Sequence, residues 1–291
     1  MPPLTINDIP EELLRQILKY EFYIDLRDTF SLFRAYFALR RTCKPSYLLL
    51  VCKHWLYVAT PLFYETVELG TDRHVGQLAQ VIRRNPSLGS AVRHLRIDGG
   101  YGWELDDIVQ HMPHILTLSV QSCLTTNQSN AGLILALPRL NPDTLYFHCD
   151  WLVNDDVESR ANYDMIWKAV ANWTALRHIV YCESGDVRLS PEMLKAIATA
   201  PSLSDIWAQE WPLACMLREP AFCDAVLSSS ITSLRCSYLD KCLDKFMARA
   251  GVPKDVKNLV VYESDPNDPN IKYEFFRDLR QSPSLLLRSL E

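Results

Sequence analysis

Apolar side chains recur along this chain in a fixed three-point figure: one residue, a second three positions on, a third two positions after that. The clearest copy is Ile115, Leu118 and Val120, with Cys123 three residues beyond. Val92, Leu95 and Ile97 precede it, and Leu176, Ile179 and Tyr181 follow. Further copies are Leu203, Ile206 and Ala208, then Ile231, Leu234 and Cys236, then Val256, Leu259 and Val261. A weaker one has Pro142 in the first slot, with Leu145 and Phe147. The last two points of each figure sit two residues apart, which puts both side chains on one face of a strand. The central residues, 95, 118, 145, 179, 206, 234 and 259, are 23, 27, 34, 27, 28 and 25 positions apart. Each interval has room for one helix, and the interval of 34 predicts a unit with an insertion.

Helical spacing fills the intervals. Thr71-Asp72 caps a helix carrying Val75, Leu78, Ala79 and Ile82. Asp164 to Ala171 carries Ile166, Trp167 and Val170. Ser190-Pro191-Glu192 supplies a cap, a first-turn proline and an acidic first turn ahead of Leu194 and Ile197. Phe222 and Val226 mark another helix; Leu243, Phe246 and Met247 mark the next, which Gly251 ends as a C-cap. The figure itself, L-x-x-L-x-L-x-x-N/C, is the core of a leucine-rich repeat, and residues 70–291 resemble a degenerate array of them. The resemblance implies an α/β solenoid with its strands in one parallel sheet on a concave face. Side chains between the buried leucines then enter the concavity, and Arg96, Tyr146, His148, Trp207, Arg235 and Tyr262 are the candidates for holding a protein substrate. Leu287 to Glu291 reads as the start of another figure, so the solenoid is expected to lack a C-terminal cap.

Residues 1–69 read differently. Ile9-Pro10-Glu11-Glu12-Leu13-Leu14-Arg15-Gln16-Ile17-Leu18 is an amphipathic helix, with Asp8 as N-cap and Pro10 in its first turn. A second helix starts at Leu48 and carries Val51, Cys52, Trp55, Leu56 and Ala59 until Pro61 stops it. Thr66 to Leu69 then alternates as a strand. The opening I-P-E-E-L-L-x-x-I-L and the close V-C-K-H-W-L-x-V-A-T-P-L-F-Y are similar to an F-box, with an insertion at about 22–46. F-box proteins that continue into leucine-rich repeats hand the box to a Skp-family adaptor, which joins them to a cullin–RING ubiquitin ligase. Carried over, that implies a non-catalytic substrate receptor in which Pro10, Leu13, Leu14, Ile17, Leu49, Val51 and Trp55 belong to the adaptor-binding box. Trp55 fits a core anchor and an interface hot spot equally well. The alternative is a repeat scaffold with no ligase role, its N-terminal helices only capping the first unit.

Composition narrows the remaining classes. A net charge of -5 does not favour nucleic acid. The longest wholly apolar run, Leu48 to Cys52, is too short to span a bilayer, and Asn7, Asp8, Glu11 and Glu12 interrupt any leader-like segment. Nine cysteines, an odd number without a paired pattern, suit a reducing compartment, cytosol or nucleus. Cys43, Cys52 and His54 lack zinc-site spacing, His148-Cys149-Asp150 is contiguous, and Gly99-Gly100-Tyr101-Gly102 is neither a dinucleotide fingerprint nor a P-loop. No metal, cofactor or catalytic group is therefore expected.

Overall fold

The computed structural model describes residues 9–22, 45–99, 102–122, 130–148, 157–182, 189–208, 210–237 and 242–263. The insertion at 22–46, Cys123 and the C-terminal end of the solenoid lie almost wholly or wholly outside them. Two helices lead: α1 (Glu11–Glu21) and, after a 3-10 turn at Ser46–Leu50, α2 (Lys53–Tyr64). The chain then alternates: β1 (Thr66–Leu69), α3 (Asp72–Arg84), β2 (His94–Ile97), α4 (Trp103–Val109), β3 (Thr117–Gln121), α5 (Ala131–Ala136), β4 (Thr144–His148), α6 (Val157–Val170), β5 (His178–Tyr181), α7 (Pro191–Thr199) and β6 (Asp205–Ala208). Two helices, α8 (Glu210–Arg218) and α9 (Pro220–Leu227), precede β7 (Ser233–Ser237), and α10 (Cys242–Arg249) with α11 (Lys254–Asn258) precedes β8 (Val260–Glu263).

Among the described residues all eight strands form one parallel sheet in chain order, β1 to β8. The register sets Val67, Leu95, Leu118, Leu145, Ile179, Ile206 and Leu234 side by side, so the predicted centres through Leu234 stand in one row. Leu69, Ile97, Val120, Phe147, Tyr181, Ala208 and Cys236 form the next core row. Both rows are buried against the helices in one continuous core. A repeated bond fixes the stacking. The carbonyls of Glu65, Arg93, Leu116, Asp143, Arg177 and Ser204 each accept two consecutive N–H groups from the following unit. Side chains reinforce it: Asn141 bonds Thr174 and the Ala175 N–H, Ser202 donates to the Thr174 carbonyl, and Ser230 to that of Leu203.

Three of the predicted caps fall where expected, while Asp8 lies outside the described residues. Thr71 accepts from the His74 N–H and Ser190 from that of Met193, and Gly251 has φ 68° after α10. The interval of 34 houses the longest repeat helix, α6, and fills its extra space with aromatic rings. Phe147 lies 5.3, 5.2 and 5.7 Å from Tyr163, Trp167 and Tyr181, centroid to centroid.

Five expectations need correcting. β1 bonds β2 along its length, so the sheet begins at Thr66 and not after residue 69. The last figure is one residue out of step: Val260, not Leu259, pairs with Leu234, because α11 ends its last turn at Asn258. Pro61 lies inside α2, in its last turn, where its missing N–H removes a single helical bond. The helix begins later than Leu48, with Cys52 as N-cap accepting from the Trp55 N–H, and Pro10 is the N-cap residue of α1.

Candidate functional site

The N-terminal helices have a small core of their own. Leu14 and Leu18 of α1 are fully buried against Trp55, Val58, Ala59 and Leu62 of α2, and Phe22 meets Phe63 edge-on at 6.0 Å. A helix needs one apolar stripe to do this. α1 carries a second: Leu13 and Ile17, 52% and 49% exposed, continue to Tyr20 on the outward side. Leu50 (84% exposed) and Val51 extend from the 3-10 turn, and Leu56 and Tyr57 from α2. The seven box candidates thus divide. Pro10, Leu13, Ile17 and Val51 are exposed, Leu49 is half-buried, and Leu14 and Trp55 are core. The last two hold α1 to α2. Leu50, Leu56 and Tyr57 were missed: helical spacing shows an apolar stripe but not which of two stripes the neighbouring helix covers.

The sheet face turned away from the helices carries two rows. One runs Thr66, His94, Thr117, Thr144, His178, Asp205, Ser233, and the other Glu68, Arg96, Ser119, Tyr146, Val180, Trp207, Arg235, Val261. Tyr146, Trp207 and Arg235 are half-buried there. Arg96 and His148 are not available to a partner, being 5% and 1% exposed. Arg96 Nε donates to Asp98 at 2.6 Å, and His148 Nε2 shares a 3.0 Å hydrogen bond with the Ser119 hydroxyl. Tyr262 is on the opposite face. The one-residue shift at β8 pairs it with Cys236, and its hydroxyl donates to Asp244 at 2.6 Å. Val261, 45% exposed, takes the place the sequence assigned to Tyr262.

Polar order on this face centres on Asp205. One carboxylate oxygen accepts from Arg235 Nη2 at 2.9 Å, Arg235 Nε at 3.1 Å and the Ser233 hydroxyl; the other accepts from Ser204 at 2.8 Å and stands 3.1 Å from His178 Nδ1. Burial pushes the carboxyl upward, but the hydrogen bonds from Ser233 and Ser204 and the charge of Arg235 outweigh it and hold Asp205 below its ordinary range. Cys182, just past β5, shows the opposite: burial pushes its thiol up to about 12 against a smaller downward pull from Arg96. A protonated thiol of that kind is a poor nucleophile. Trp103 stands 65% exposed at the start of α4.

Among the described residues no helix is long and apolar enough to cross a membrane, and no three His, Cys, Asp or Glu side chains converge as metal ligands would. The chain matches no protein-family model, and no curated protein matches it.

Proposed function

We propose that the chain is a non-catalytic substrate receptor of an SCF-type cullin–RING ubiquitin ligase. Its N-terminal helices bind a Skp-family adaptor, and its leucine-rich-repeat-like sheet holds a protein substrate. The observation that carries the reading is the doubled apolar character of α1, one stripe closing a private core and the other, Leu13 and Ile17, left in solvent. An exposed apolar stripe on a short helix beside an exposed 3-10 turn is what a helix-docking partner requires. On the sheet, Tyr146, Val180, Trp207, Arg235 and Val261 form the accessible strip for a substrate.

The test is a binding assay between the purified full chain and a Skp-family adaptor. The wild type forms a one-to-one complex. Leu13→Asp combined with Ile17→Asp abolishes it while the circular dichroism of the repeats is retained. An adaptor that ignores the wild-type chain sinks the proposal.

A scaffold without a ligase role is favoured by one observation: α2 packs on the 3-10 turn Pro86–Ala91 of the first repeat and on β1, as an N-terminal cap does. Capping alone leaves the Leu13 and Ile17 stripe without a purpose.

A further inference from the structure

Behind the sheet, successive helices pack side by side: α3 on α4, α4 on α5, α6 on α7, α7 on α9. The succession breaks between α5 and α6, where α6 rests on the 3-10 turn Leu137–Arg139 instead. The break falls in the unit with the long interval. There α5 has 6 residues and α6 has 14.

A cavity of about 430 Å³ occupies the break. That is within the size range of small-molecule sites, roughly 300–1,000 Å³. Leu140 and Trp173, both buried, form its floor, and Met165 flanks them. The Trp173 N–H is already bonded to the Leu137 carbonyl at 3.2 Å, so the indole presents only apolar surface. Beyond the break, the hydrogen bond from Asn130 at the start of α5 to Asn162 of α6, 2.8 Å, ties the two helices together.

Among the described residues the lining includes two cations, Arg139 and Lys168, and no carboxylate, in a chain whose net charge is -5. Arg139 is anchored by Asp106 at 2.6 Å. Lys168 has a 3.8 Å contact with Glu192, between side chains 66% and 29% exposed, and a contact of that kind holds it weakly. An apolar floor under a cationic rim complements a molecule of the opposite layout.

We propose that this cavity binds a small amphipathic anion, a medium-chain or aromatic carboxylate. Its apolar body lies on Trp173 and Leu140, and its head group sits between Arg139 and Lys168. The site is on the opposite side of the sheet from the substrate strip and does not rest on the ubiquitin-ligase reading. Calorimetric titration of the full chain with decanoate, set against decyltrimethylammonium, tests it. Decanoate saturates one site per chain and the cation does not. Lys168→Glu weakens decanoate about three- to fivefold, the effect of one partly exposed charge. Ala169→Phe, on the cavity wall, abolishes binding. If Ala169→Phe melts below the assay temperature, Lys168→Glu, a solvent-facing change, decides alone. The proposal is overturned if decanoate fails to bind, if the cation binds as well, or if either folded variant keeps the wild-type affinity.

Discussion

At the scale of single residues, the sheet face is stabilised by one carboxylate with many donors. Because the Asp205 carboxyl is held below its ordinary value, the sign is fixed: its contribution is fully present above the unfolded value of about 3.9 and is lost as pH falls through the lower folded value. Asp205→Asn should cost about 1–3 kcal/mol at neutral pH, by weakening the bonds from Arg235 and Ser233. The variant should also show a flatter acid limb below about pH 4 than the wild type. Urea titrations at pH 7 and pH 3.5 check both; a wild-type acid limb in the variant contradicts the assignment. Gly89 shows a second single-residue constraint. A Cβ there would lie 2.5 Å from the His111 carbonyl oxygen, so the turn of one unit meets the backbone of the next with no room for a side chain. Neither feature was legible in the sequence. Asp205 and His178 occupy the position just before a core residue, where the three-point figure is silent, and Gly89 is constrained by a residue 22 positions away.

At the scale of elements, α1 separates two roles that its periodicity merges. Leu14 and Leu13 are neighbours in sequence, yet one is fully buried and the other is half in water. Leu14→Ala should therefore destabilise the N-terminal helix pair by about 2–5 kcal/mol, whereas Leu13→Ala should stay within about 0.5 kcal/mol. Thermal melts of the two variants check this, and equal losses would mean that α1 is rotated about its axis. Spacing alone gave the stripe at 13, 14, 17 and 18; the face that meets α2 depends on where α2 lies, which is a tertiary fact. The start of α2 was hidden for a related reason. Leu48 to Val51 is apolar enough to continue a helix, but Cys52, with its Sγ 3.5 Å from the Trp55 N–H, caps a new one there.

For the whole molecule, the recurrence of apolar residues was sufficient to set the order and register of the strands from β2 to β7, because each figure supplies the same two core rows. It failed at β8, where Leu259, Val260 and Val261 are all aliphatic and any of them could head the strand. It also counted β1 with the helices in front of it, because the first point of its figure, Tyr64, is the last residue of α2. The carbonyl that accepts two N–H groups at the start of each strand has a mechanical meaning. From β2 to β7 every unit is pinned to its predecessor by two bonds sharing one oxygen, so none swings away without releasing both. At β8, which still pairs with β7 over Leu234 to Ser237, the described residues show in place of that shared acceptor a bond in the reverse sense, from the Leu234 N–H to the Leu259 carbonyl. Amide protons of β8 should exchange with deuterium well ahead of those in β3 to β6, and uniform protection across the sheet would contradict this. Tension applied along the row of strands would then part the molecule first at that seam, with the remaining strands yielding afterwards as a single sheet.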